Sequence, residues 1–127
     1  MTTRDISRDS PRGHKVALVS EPRQARDGKI TARAVAAPES TWFSGHFPAE
    51  AVLPGIAQLA VVIEALRSVS GPRLRVCGLR RVRFRQIVRP NDRMDISMAP
   101  TEGDRQGYAF RVSVGGEVVC SGTLYVV

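Results

Sequence analysis

The chain has 127 residues, 43 % of them apolar, and a formal charge of +7 carried almost entirely by arginine. That composition fits one domain with one continuous core, excludes a disordered chain, and favours polyanionic partners such as nucleic acid, an acidic membrane surface or an acidic carrier protein. No run approaches the ~20 apolar residues of a spanning helix, no Cys/His pair has metal-ligand spacing, and MTTRDISRDSPRGH lacks the apolar centre of a secretory signal.

The first fourteen residues are polar and without periodicity, so an arm is expected at 1–14 and a single domain at 15–127. KVALVS (Lys15 to Ser20) and KITARAVAA (Lys29 to Ala37) read as strands around a polar loop carrying Pro22 and Gly28. A long loop follows from Pro38 to Leu53, anchored by Trp42, Phe43 and Phe47. Loops of that length in small domains are commonly functional. Pro54 suits a first helical position, and IAQLAVVIEALRS reads as a helix stopped by Ser70-Gly71-Pro72. Its apolar residues, Ile56, Leu59, Val61, Val62, Ile63 and Leu66 among them, go round most of the circumference. This predicts a helix enclosed by other structure.

Strands are then expected over 73–89, 92–99, 107–114 and 117–127. Pro90-Asn91-Asp92 and Gly115-Gly116 mark turns between them, the second fitting a two-residue hairpin. A buried helix followed by an antiparallel meander implies an α+β fold, a curved sheet wrapped around one helix. Cys77 and Cys120 fall in apolar, strand-like segments and read as reduced, buried thiols. A cytoplasmic protein without a metal or a membrane attachment is the expectation.

The stretch GHFPAEAVLPGIAQLA, residues 45 to 60, joins a loop histidine to a Pro-Gly step and the helix. A proton acceptor is therefore followed closely by a helix N-terminus. The stretch resembles the signature of the hot-dog-fold 3-hydroxyacyl-(acyl carrier protein) dehydratases of fatty-acid, polyketide and aryl-polyene pathways. Downstream, VRFRQIVRPNDRMDI is similar to the family's Val-Arg-Phe strand and Pro-Gly-Asp turn. The likeness in motifs covers roughly residues 40 to 100.

The resemblance implies a hot-dog fold, His46 as catalytic base and the Gly55 N–H as donor to the thioester oxygen. Phe47, Pro54, Gln58 and Ala60 would touch substrate. It implies no cofactor of the protein's own, since substrate arrives on the phosphopantetheine of a carrier protein or on CoA. The family's acid lies five residues after the helix-opening glycine, where this chain has Ala60. Ala49 and Ala51 replace the family's Gly and Pro.

These residue types suit the reaction. Removing water from a 3-hydroxyacyl thioester takes a proton from the carbon beside the carbonyl, and negative charge builds on the oxygen. A helix N-terminus offers unpaired N–H groups and the positive end of a dipole to that charge. Imidazole, with an intrinsic pKa near ~6.5, accepts protons at cytoplasmic pH and its imidazolium can return one to the leaving hydroxide. Glu64 lies one turn beyond Ala60 on the same face and is a second candidate acid, its pKa raised if Val61, Ile63 and Leu66 desolvate it. The competing structural readings are an ordinary loop histidine, a Glu64 paired with Arg67 or a strand arginine, a Gln58 bonded to backbone, and core roles for the aromatic anchors.

In LRRVRFRQ, alternation sends Val82 and Phe84 inward and puts Arg81, Arg83 and Arg85 on the other face, a ridge suited to phosphate or carboxylate. The expected partner is an acyl carrier protein rather than nucleic acid, because no aromatics interleave with the arginines. By the resemblance, hot-dog domains pair edge to edge and assemble the site from both chains. A homodimer or higher oligomer is expected, or a hetero-oligomer in which a second hot-dog subunit donates the acid. The rival functions are a thioesterase using Glu64 and a non-catalytic acyl or carrier binder.

Overall fold

The computed structural model describes residues 17–36, 55–103 and 105–127, with side chains given from residue 19 onward. The expected arm at 1–14 and the loop at 38–53 lie outside the described residues. The elements are β1 (Ala17–Gln24), β2 (Ile30–Ala36), α1 (Gly55–Ser70), β3 (Val76–Phe84), β4 (Arg93–Pro100), β5 (Gly107–Val114) and β6 (Glu117–Val126). The strands form one curved, antiparallel sheet in the order β1-β2-β4-β5-β6-β3, with α1 against it. This is the α+β architecture that the element order predicts.

Alternation builds the inner face. Ile30, Ala32, Ala34 and Ala36 of β2 are buried while the residues between them are exposed, and Met94, Ile96 and Met98 repeat the pattern on β4. Phe110, Val112 and Leu124 carry the core to the far side of the sheet. The alanines of β2 face a helix that buries Ala57 and Ala65, and small side chains on both surfaces let α1 come close to β1 and β2. Leu66, Val61 and Val62, each 0 % exposed, fill what remains.

The turns follow local chemistry. Gly71 ends the helix with φ +111° and donates its N–H to the Arg67 carbonyl at 3.0 Å, a left-handed cap that a β-carbon would strain. Gly115 and Gly116 have φ +60° and +85°, the signature of a type I′ hairpin, and join β5 to β6 as expected. The strand expected over 73–89 is shorter, Val76–Phe84, and Pro22 lies inside β1 rather than in a loop. Pro22 is tolerated because β1 is an outermost strand, where its missing N–H breaks no ladder bond.

One expectation is corrected, that both thiols are buried, and the described residues enclose only one side of the helix: Ile56 is 65 % exposed, and Ala60, Glu64 and Arg67 continue the same open stripe at helical spacing. The six-stranded sheet covers one face of α1, and no other described element reaches the opposite one. Cys77 is exposed on β3 while Cys120 is buried, because β3 is the outermost strand on its side of the sheet. Both cysteines are free. Among the described residues no helix is long and apolar enough to cross a membrane.

Candidate functional site

The helix begins at Gly55, and its first turn is set by a contact that crosses the sheet. Phe84, at the end of β3, stands opposite Cys120 of β6 and so points to the inner side. Its ring lies against Gly55: a β-carbon built at position 55 would fall 2.8 Å from Cζ and 2.9 Å from Cε1 and Cε2. Glycine here allows the close approach; a larger residue would push the Phe84 ring aside. The first N–H groups of α1, which have no acceptor within the helix, and an aromatic wall are brought together at one end of the helix. Phe84 remains 48 % exposed, so it is a rim to this end and not a core plug.

Beyond that end runs a groove of about 600 Å³ lined by Ala60, Ile63, Glu64, Arg67, Arg75 and Val76. Ala60 and Glu64 thus share one open face, as their spacing predicts. Along the axis Ala60 is ~7.5 Å from Gly55 and Glu64 is ~13.5 Å from it, at ~1.5 Å per residue. A glutamate leans back toward the helix N-terminus, which recovers only part of that gap. Val61 and Leu66 are wholly buried on the opposite face, so they do not surround the exposed Glu64 in the manner expected from sequence. At the far end Arg67 donates its Nε–H to the Leu74 carbonyl at 3.0 Å, fixing that guanidinium to the turn after the helix.

Gln58 is 2 % exposed and lies on the sheet side, away from the groove. His46, Phe47 and Pro54 lie outside the described residues.

The arginines depart from strict alternation. Arg80 stands opposite Thr123 and Arg83 opposite Ser121, so two β3 residues, Arg81 and Val82, share the space beside Gly122. This is a β-bulge, and Arg81 takes φ +56°, a conformation usually left to glycine. The consequence is that Arg80 and Arg83 share the outer face, Arg81 sits in the bulge, and Arg85 lies past the strand, donating its N–H to the Val119 carbonyl at 2.8 Å. All of them are exposed, but they do not form the even ridge of Arg81, Arg83 and Arg85 expected from sequence. Without a glycine, nothing in LRRVRFRQ announces the bulge. Phe84 as the wall of Gly55 also escaped the sequence, because contact between strand end and helix start needs the sheet's curvature.

A hollow of about 420 Å³ on the outer face of β1, β2 and β4 is lined by paired charge, Arg33 reaching Glu21 at 3.9 Å and Asp95 at 3.5 Å. It is on the other side of the sheet from α1. Among the described residues no cluster of three or more His, Cys, Asp or Glu could hold a metal.

Known proteins share this fold. A family model described as ApeI dehydratase matches residues 22–123. The 3-hydroxyacyl-[acyl-carrier-protein] dehydratase FabZ of Streptococcus pyogenes serotype M1 is 29 % identical over 133 residues, covering 98 % of this chain and 96 % of its own. The dehydratase heterocomplex ApeI:P from Xenorhabdus doucetiae superposes with a TM-score of 0.74 at 20 % identity, covering 87 % of this chain and 96 % of that one. The R-hydratase PhaJ1 of Pseudomonas aeruginosa does so with a TM-score of 0.63 at 17 % identity, over 87 % and 86 % of the two chains. The shared fold is the hot-dog fold.

Proposed function

Since this chain belongs to the ApeI-like dehydratase family, we propose that it eliminates water from 3-hydroxyacyl thioesters delivered by acyl carrier protein, giving 2-enoyl thioesters. His46 takes the proton from the carbon beside the carbonyl, and the Gly55 N–H receives the charge that develops on the thioester oxygen. The carbon–oxygen bond to the 3-hydroxyl then breaks, and the hydroxide leaves as water with one proton returned to it. The observation that supports this reading is the Gly55–Phe84 contact: the helix N-terminus is kept free of any side chain of its own and walled by an aromatic ring.

Ala60 shapes the last step. With no carboxyl at that position, the proton returns from the His46 imidazolium, one group serving both halves of the elimination. Glu64 stands a full turn further along, in the wall of the groove. Incubating the protein with a 3-hydroxyacyl carrier substrate should remove the mass of one water. Absence of turnover by the wild type, alone and with a partner subunit, would end the catalytic reading. His46→Ala should abolish turnover while Glu64→Gln leaves most of it; the reverse pattern would favour a thioesterase.

The β3 edge supports an oligomer. Leu79 and Phe84 are each 48 % exposed on that strand, and Ile56 beside Gly55 is 65 % exposed. Such a concentration of large apolar side chains around the strand that ends the described sheet suits pairing with a second hot-dog subunit. Purification at native abundance, with the stoichiometry read by mass, distinguishes a homodimer from a mixed pair.

A further inference from the structure

We infer that the outer face of β5, β6 and β3 is the docking strip for an acidic helix of the carrier protein, with Arg80, Arg83, Arg105 and Arg111 as its contacts. The inference rests on the carrier-borne substrate proposed above and adds to it the surface that receives the carrier.

The strip is written in the strand register. Ser121, Thr123 and Tyr125 stand at alternate positions of β6 and face outward. Ser121 has Arg111 of β5 on one side and Arg83 of β3 on the other. Thr123 has Arg80 beside it, and the Arg105 guanidinium lies 4.1 Å over the Tyr125 ring. The β-bulge at Arg81 makes this possible, because it moves Arg80 and Arg83 onto one face where regular alternation would separate them.

The positive steps along β6 are ~7 Å apart, and the strip is ~14 Å long. Carboxylates one turn apart on a helix are spaced ~6 Å, a close match to guanidiniums that each offer a planar fork. Among the described residues no carboxylate pairs with Arg80, Arg83, Arg105 or Arg111, whereas on the other half of the same face Arg33 is held by Glu21 and Asp95. The charge is available on one half only.

Two other polyanions fit less well. Single-stranded nucleic acid would need exposed aromatic faces for its bases, and the Tyr125 ring is already covered by Arg105. A membrane surface would need apolar residues to insert, and the floor of the strip is hydroxyl-bearing.

The test compares wild type with Arg80→Gln/Arg111→Gln, neither residue lying in the groove. Binding of a holo acyl carrier protein is measured by titration at low and high salt, and turnover is measured with a 3-hydroxyacyl carrier and with the same acyl group on pantetheine alone. The expected result is at least a tenfold loss of carrier affinity in the double variant, a flatter salt dependence, and a KM raised for the carrier substrate only. Arg33→Gln, on the charge-paired half, should bind carrier like wild type. Equal carrier affinity of wild type and double variant overturns the strip, as does tighter binding of a single-stranded oligonucleotide than of the carrier. Should wild type bind carrier through these arginines yet dehydrate neither substrate, the catalytic reading fails and the strip stands.

Discussion

The two outermost described strands make the same departure from regularity and put it to different ends. Each carries a β-bulge led by a charged residue in the left-handed region, Glu21 at φ +54° in β1 and Arg81 at φ +56° in β3, and β3 has a second register shift between Val76 and Gly78. In β1 the bulge is followed by Pro22, and Glu21 reaches Arg33 at 3.9 Å. A bulge, a proline and a neutralised charge are the devices that stop a strand edge from recruiting another chain. In β3 the bulge is flanked by exposed Leu79 and Phe84 on the inner side and by exposed arginines without acidic partners among the described residues on the outer side. One edge is closed and structural. The other is open, and it lies against the helix start where the family's chemistry belongs.

The largest expected effect falls on the closed side. The helix backbone comes nearest to β1 and β2, and Leu66 of this helix is wholly buried. Leu66→Ala should cost about 3 kcal/mol of unfolding free energy, read from denaturant midpoints, within the usual 2–5 kcal/mol for such truncations. Residual turnover per folded molecule should be little changed. A loss below about 1 kcal/mol would mean that α1 does not depend on this face.

The next effect falls on the open side and reverses the balance. Gly55→Ala keeps the N–H donor but should lower kcat, by less than the roughly 100-fold of a lost oxyanion donor, because the new methyl group meets the Phe84 ring and displaces it. Adding Phe84→Ala should recover part of that loss, a coupling that a double-mutant cycle measures. If the two substitutions are simply additive, Phe84 is not the reason for glycine at this position.

The contrast between the edges also explains how far the sequence could be read. Alternation in ITARAVA and RMDISMAP, the glycine pair at Gly115-Gly116 and the stop at Gly71 are local signals, and each element they mark is present. The open face of α1 was not legible, since an apolar run reports hydrophobicity but not which side a sheet will cover. Neither was the bulge at Arg81, where a residue with a β-carbon takes glycine's conformation because the ladder to β6 holds it there. The motif around His46 points to a proton acceptor, but its placement lies outside the described residues.

The cysteines give a smaller contrast within β3 and its neighbour. Cys120 on β6 is buried and its thiol is pushed up from 9.0 to about 11 by desolvation, while Cys77 is exposed on the open edge. At pH 8, an alkylating reagent should modify Cys77 rapidly and Cys120 only after unfolding. The folded state keeps its Cys120 proton where the unfolded chain has lost it, so this group stabilises fully below pH 9 and its contribution declines as pH rises toward 11. The Cys120→Ala variant should lose that part of the alkaline decline; equal labelling of both thiols in the native state would contradict the burial.

The smallest effect compares the two bulges directly. A left-handed conformation costs a residue with a β-carbon about 1–2 kcal/mol relative to glycine, and glycine returns about 0.5–1 kcal/mol through the freedom it gains in the unfolded chain. Arg81→Gly should therefore raise stability by up to about 1 kcal/mol, because no partner of Arg81 among the described residues is lost with it. Glu21→Gly relieves the same backbone strain but forfeits the contact with Arg33, an exposed pair worth at most about 1 kcal/mol, and should come out near neutral. Thermal midpoints of the two variants measured side by side give the difference. Arg81→Gly ahead of Glu21→Gly means that the open edge keeps a strained arginine without structural return, as expected of a strand whose form serves a partner. The opposite order would make β3 the structurally tuned edge and remove the asymmetry.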